Sequence, residues 1–367
     1  MLSNCRKCRA SQRGATLVMA LLVVLVVVAL ATRVSRDYFV LQRTLENQSE
    51  LTQARAYLRG AESVAEQALM LDLQGGSVAD SALESWSQTL QLPLPEGVLT
   101  ACLLDLQSRL NLNDLATAAS EGLSPAQKRF IRLLQVVPID EPPDQTAAIA
   151  LANAVFDWLD ADNQARYPGG AEELAYLQAG RNYRPANQHF ASVAELQLIQ
   201  GFDAPLVTAL TPLVSVWGNG NLNLNTADSA LLWSARSSSR EGSFADDKPQ
   251  PLLLRTLNNA DSLLPLAPTA AEQLAGARSA AGGVLESLQL FSEQPWAQQQ
   301  WDLAGVGVSS EFFQMTADMQ TGSHHQRLLT VLQRTRDAAG RPVVVIRSRT
   351  YVAAALAEEM ACAAPLR

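Results

Sequence analysis

The sequence predicts an α+β fold in which a long N-terminal transmembrane helix packs on a small antiparallel sheet, with a large all-α domain inserted between strands. Three observations predict it. An uncharged apolar run near the N-terminus passes without a break into an amphipathic helical pattern; short alternating runs lie near both ends of the remaining chain; and helical patterns occupy the middle.

The helix is read first. Ala15 to Thr32 (ATLVMALLVVLVVVALAT) contains no charge, Gly or Pro, and its eighteen residues span about 27 Å at about 1.5 Å per residue, close to the hydrocarbon thickness of about 30 Å. No Gly or Pro occurs from Ala15 to Arg59. Val34, Tyr38, Leu41, Leu45, Leu51, Ala54, Leu58, Ala61, Ala65 and Leu69 continue at helical spacing, with one wider gap after Leu45, and Gly75-Gly76 ends the pattern. A rod from Ala15 to Leu73 would be nearly 90 Å long. A removed signal peptide has the same basic-then-apolar order, and Ala29-Leu30-Ala31 resembles its cleavage site. Such a peptide has no need to be the first half of a continuous rod.

Charge follows the same division. Arg6, Lys7, Arg9 and Arg13 give residues 1–14 a charge of +4, so the net −8 of the 367-residue chain leaves −12 for the remainder. The basic leader stays cytoplasmic by the positive-inside rule and the rest lies across the membrane. A hydrophobic fraction of 48% excludes a disordered chain, and the acidic balance argues against a surface built for nucleic acid.

Beyond the helix, Gly97 to Asn113 reads as a strand and a turn. Leu110-Asn111-Leu112-Asn113 recurs as Leu222-Asn223-Leu224-Asn225, each copy followed by a small residue and a helical segment; Asn suits both turns and caps. Ser124 to Val136 is a helix capped by Ser124, and Asp144 to Leu159 is a second. Ser192 to Trp217 holds two short helices joined at Gly201-Phe202. This has the outline of a helix-hairpin-helix, but Ser192 to Asn225 contains no Lys or Arg to grip phosphate, so the hairpin is structural. Residues 235–285 read as a partly helical continuation. Val306 to Thr321, Gln326 to Arg334 and Pro342 to Tyr351 read as strands, with His324-His325 in a turn after Gly322-Ser323.

The chemistry-bearing residues are few. Asp157, Asp160, Asp162, Glu172 and Glu173 form an acidic run relieved only by Arg166, around Pro168-Gly169-Gly170. Two arrangements fit: solvated acids at a helix end, or oxygen ligands for a hard cation such as Ca²⁺. The EF-hand pattern is absent, because Gln164 and Ala165 stand where its fifth and sixth positions need Asp or Asn and Gly. Cys5-x-x-Cys8 has a metal spacing but no second pair. Cys102 and Cys362 would face an oxidising compartment as a disulfide or as two buried thiols. The sequence shows no phosphate loop, nucleophile elbow or zinc-protease helix, and therefore no enzyme signature.

Arg13-Gly14 before an uninterrupted apolar helix resembles the processing site of type IV pilin-like proteins, which implies prepilin peptidase cleavage between Gly14 and Ala15. The family usually places an acid at the fifth mature position; here it is Met19. That departure, the paired LNLN phrases and the segment "DWLDAD…GGAEEL…Y…N" resemble the minor pseudopilin K family of type II secretion. The resemblance implies a leader (1–14), a transmembrane helix half (15–32), the first part of an α/β head (33–113), an inserted α-helical domain (114–300) and the remaining head strands (301–367). It implies Ca²⁺ ligands at Asp160, Asp162, Glu172, Glu173 and, through its carbonyl, Asn187. The expected role is non-enzymatic, at the tip of the periplasmic pseudopilus. The expected partners are the minor pseudopilins I and J, with H and the major pseudopilin below, the prepilin peptidase and inner-membrane lipid, but no nucleic acid. Two other functions are weighed against it: a soluble periplasmic binding protein, whose mature chain would start after Ala31, and a DNA-uptake factor using the hairpin near Gly201.

Overall fold

The structure, a computed structural model, describes residues 12–76, 78–117, 122–228, 263, 276, 284–289, 304–321 and 324–353. Helix α1 runs unbroken over Gln12–Gly75, 64 residues, about 96 Å at about 1.5 Å per residue. It stops where Gly76 takes a φ of +77°, the left-handed conformation that closes helices and that glycine adopts without a Cβ clash. Residues 16–50 are exposed on every side. From there one stripe turns inward: Ala54, Leu58, Ala61, Ala65 and Leu69 are buried at three-to-four spacing, and its three alanines let the helix axis approach the sheet closely.

The sheet has five antiparallel strands, β1 (Leu90–Leu94), β2 (Gly97–Asp105), β7 (Phe312–Thr321), β8 (His324–Arg336) and β9 (Pro342–Ala353), in the order β1-β2-β7-β8-β9. Alternation along β7 sends Phe313, Met315, Ala317 and Met319 against α1, joined by Leu99 and Ala101 of β2 and Leu328 and Leu332 of β8. Glu62 of α1 is buried in this contact and accepts from Thr330 at 2.8 Å and from Arg349 at 2.6–3.0 Å. Burial pushes its carboxyl up, but those bonds outweigh it and hold the group below its usual range. Strand β1 lies outside the strands expected from alternation, because Pro93 interrupts a short run; it is an edge strand, where proline is tolerated. The expected turn at His324-His325 is corrected: both residues pair with β7, opposite Thr321 and Gln320, and extend β8. Cys102 is disulfide-bonded. Its expected partner Cys362 lies outside the described residues, as do Cys5 and Cys8 and nearly all of 235–285.

Strands β2 and β7 are neighbours in register, Asp105 opposite Phe313, so residues 106–311 leave the sheet and return to the adjacent strand. This insertion has its own core, formed by helices α2 (Pro125–Leu134), α3 (Gln145–Leu159), α4 (Glu173–Gln178) and α5 (Ala204–Leu210). Ser124 caps α2 in a capping box with Gln127, and Asp144 caps α3. The hairpin is a 3-10 turn over Val193–Leu198 followed by α5, joined through Gly201 at φ +90°. The insertion also carries two parallel strand pairs, β3 (Leu110–Asn111) with β4 (Val214–Ser215) and β5 (Leu222–Asn223) with β6 (Val306–Gly307).

Those pairs explain the repeated phrase. In each copy the first Asn accepts from the backbone N–H two residues on: Asn111 from Asn113 at 3.1 Å, and Asn223 from Asn225 at 2.9 Å. In each copy the second Asn ties two distant backbones together. Asn113 accepts from Phe190 N at 2.7 Å and donates to Phe190 O and Val216 O. Asn225 accepts from Leu285 N at 2.8 Å and donates to Leu285 O and Val308 O. Truncating either leaves backbone groups unpaired, at a cost of about 1–3 kcal/mol per group that water cannot reach. Asn225 is buried and Asn113 half-buried. Asn225→Ala is therefore expected to lower stability by about 2–4 kcal/mol and Asn113→Ala by less, read as the shift in urea unfolding midpoint.

Candidate metal centre

Helix α3 ends by placing Asp157 in its last turn and Asp160 at its C-cap, an i,i+3 spacing that brings both carboxylates to one end of the helix. The chain then returns through a loop pinned on α3. Asn153 donates to Pro168 O at 2.7 Å, and the Arg166 N–H donates to Asp157 Oδ2 at 3.1 Å. Gly170 is required there: a Cβ would stand 2.3 Å from Asp157 Oδ2 and 2.4 Å from Arg166 O. Gly169, at φ +78°, would likewise drive a Cβ to 2.3 Å from the Ala150 Cβ. The loop delivers Glu172 to the N-cap of α4, where its side chain caps nothing and is directed at the acids instead.

The result is a convergence of oxygens. Carboxylate oxygens of Asp160, Asp162 and Glu172 lie within 4.8 Å of one another, the greatest separation of two ligands each about 2.4 Å from a shared Ca²⁺. Both Glu172 oxygens, Asp160 Oδ1, Asp157 Oδ1 and Asn187 Oδ1 are buried and accept no hydrogen bond. Buried acceptors are ordinarily satisfied, so five such atoms in one region mark a place shaped for a positive charge. Asn187, at φ +48°, donates its amide N–H to Asp162 O at 3.0 Å, which turns its carbonyl oxygen away from that bond. Asp162 Oδ1 accepts from Gln164 N at 2.8 Å, which fixes the carboxylate's orientation beside the cluster.

The charge is partly offset within the chain. Arg166 approaches Asp160 Oδ2 at 3.2 Å and Asp157 Oδ1 at 3.5 Å. It does not neutralise the set. Burial, then repulsion from Asp157, Asp160 and Asp162, raises the Glu172 carboxyl to about 7. Burial above all raises Asp157 to about 6, and Asp160 is raised for the same reason.

Of the residues named from the sequence, Asp160, Asp162 and Glu172 are brought together, with Asn187 beside them. Glu173 is not: it opens α4 and is exposed. Asp157 belongs with the cluster although the resemblance did not nominate it; its helical spacing from Asp160 was the available signal. A second acidic group, Asp72, Asp80 and Glu84, is already served by Arg334, which bonds both aspartates. At the processing site the backbone of Gly14 and Ala15 lies within α1. One helix among the described residues is long and apolar enough to cross a membrane, with a mean hydropathy of 2.8.

The raised carboxyls fix a pH dependence. A group whose folded pKa lies above its unfolded value contributes stability that is complete below the unfolded pKa and is lost as pH rises through the folded one. With metal chelated, the thermal midpoint of this protein is expected to fall between about pH 4.5 and pH 7. Glu172→Gln, which cannot ionise, is expected to flatten that slope.

Residues 108–219 match the family described as type II secretion system (T2SS), protein K. Relatives named type II secretion system protein K include one from Klebsiella pneumoniae, 29% identical over 92% of this chain and 96% of its own length. Another, from Dickeya chrysanthemi, is 30% identical over 58% of this chain and 68% of its own length. A chain in the crystal structure of the GspK-GspI-GspJ complex from the enterotoxigenic Escherichia coli type 2 secretion system has the same fold, with a TM-score of 0.64 and 22% identity over 84% of this chain and 98% of that one. The long helix, the split sheet and these likenesses agree: the chain belongs to the type II secretion system protein K family.

Proposed function

We propose that this chain is a minor pseudopilin seated at the tip of the periplasmic pseudopilus, held in the inner membrane by residues 15–32, and that it takes part in pseudopilus initiation and in protein export across the outer membrane. The observation that carries this reading is the insertion. Residues 106–311 interrupt a small helix-and-sheet head between two adjacent strands, a bulk that would obstruct the addition of another subunit above. Met19 supports the same place. After cleavage between Gly14 and Ala15 by a prepilin peptidase it stands at the fifth position, where a carboxylate would otherwise bond the terminal amine of the next subunit. The Escherichia coli complex, which names K, I and J together, supports I and J as direct partners, with H and the major pseudopilin below. A removable signal peptide fits less well, because α1 continues through Ala31 without interruption.

The acidic cluster serves this role as a Ca²⁺ site. Asp160, Asp162 and Glu172 would supply carboxylate oxygens and Asn187 a carbonyl oxygen, with Asp157 alongside, a hard donor set suited to Ca²⁺. A cation there would tie the end of α3 to the start of α4 and stabilise the insertion by binding only its folded form.

Two measurements test these readings. Excess Ca²⁺ is expected to raise the thermal midpoint above that in chelator, and the paired substitution Asp160→Asn with Glu172→Gln to abolish the difference; identical melting curves with Ca²⁺ and chelator would discard the site. N-terminal sequencing of the membrane-bound protein is expected to start at Ala15, and I and J to co-purify with it. A start after Ala31 and a chain found free of both would replace the pseudopilin reading with the periplasmic binding protein.

A further inference from the structure

Where the insertion meets the sheet there is an open groove of about 540 Å³, within the range of about 300–1,000 Å³ typical of ligand sites. Its floor is aromatic: Trp217 stacks on Phe312 with ring centroids 6.5 Å apart and planes 29° from parallel. One wall, from the insertion, carries Asn113, Asp114 and His189; the other, from β8 and β9, carries Gln333 and Arg347.

Arg347 is aimed there by a backbone irregularity. Along β8, Val331 pairs with Ser348 but Leu332 pairs with Ile346, so Arg347 is the extra residue of a β-bulge. A bulge re-aims side chains. Here it returns Arg349 to the helix side, where it bonds Glu62, and leaves Arg347 beside Gln333, donating from Nε to Gln333 Oε1 at 2.7 Å. Arg347 is exposed and forms no ion pair among the described residues.

Three of the other polar side chains of the groove are committed within the chain. Asn113 is bonded to Phe190 and Val216, Asp114 accepts from Asn111 at 2.8 Å, and Gln333 is taken by Arg347. What the groove offers outward is the half-buried Trp217 backed by Phe312, the exposed His189 ring and one guanidinium whose terminal nitrogens suit a carboxylate.

We propose that this groove is a docking site for a short acidic peptide segment of another protein, its apolar side chains on Trp217 and Phe312 and a carboxylate on Arg347. A segment of a few residues fits the volume.

The test uses the full-length protein in detergent micelles and a fluorescein-labelled, acetylated hexapeptide alternating glutamate and phenylalanine, followed by fluorescence anisotropy. Saturable binding is expected, weakened about tenfold or more by Arg347→Glu, with the lysine counterpart of the peptide bound far less. Because Arg347 is exposed, this variant is expected to keep the wild-type thermal midpoint, which separates loss of the site from loss of the fold. A benzophenone-bearing version is expected to crosslink to the segments around Trp217 and Gln333. The proposal is overturned by equal binding to Arg347→Glu, by equal binding of the lysine peptide, by crosslinks elsewhere, or by no saturable binding at millimolar peptide. It is also overturned if the N-acetylglucosamine trimer displaces the peptide at lower concentration, which would make the groove a glycan site.

Discussion

A single buried carboxylate holds the two halves of the molecule in register. Asp105 closes β2 at the point where the chain departs into the insertion, and it is surrounded by donors from everything that must come back. Gln107 N reaches it at 2.8 Å, Asn223 Nδ2 at 3.0 Å, Thr226 Oγ1 at 2.5 Å and Ser310 Oγ at 2.6 Å. Burial raises its pKa while each of these bonds pulls it down. Asp80 extends the knot by accepting from Ser310 N at 2.6 Å and pairing with Arg334 at 2.5 Å. Arg334 in turn donates to Ser310 O at 2.6 Å and lies over the Phe313 ring. Adjacent strands separated by so long an excursion bear a large closure entropy. A fully satisfied polar network, costly to leave half-made, confines the returning chain to one place.

The LNLN phrases belong to the same logic. Each copy positions two leucines in the core and uses its second asparagine to fasten segments far apart in sequence. The second copy also joins the knot, through Asn223. A local turn accounts for Asn111, whose bonds reach only Asn113 and Asp114; only the tertiary structure accounts for Asn113, Asn223 and Asn225.

Much of the fold was legible in residue spacing, for physical reasons that differ by element. The rod was readable because helical periodicity and the absence of Gly and Pro are local properties, and Gly76 ends it as expected. Helices α2 and α3 announced themselves through Ser124 and Asp144. Strand β1 did not, since five residues with a proline carry too little alternation to stand out. In the acidic cluster, the residue types were visible but their selection was not. Glu172 and Glu173 are adjacent in sequence, yet one is an N-cap turned into the cluster and the other is solvent-exposed. Asp105 and Glu62 gave no signal at all, because the worth of a buried acid lies wholly in donors far away along the chain.

The exposed stretch of α1 between the apolar span and the head has a mechanical consequence. Residues 34–50 are exposed throughout, and a solitary helix of that length is marginal in water because starting one is unfavourable. This stretch never has to start. The apolar span nucleates helix from one side and the packed stripe beginning at Ala54 from the other, so the linker only propagates what both ends already possess. Torsion and bending are thereby carried across an exposed segment, and the head inherits its orientation from the axis of the apolar span.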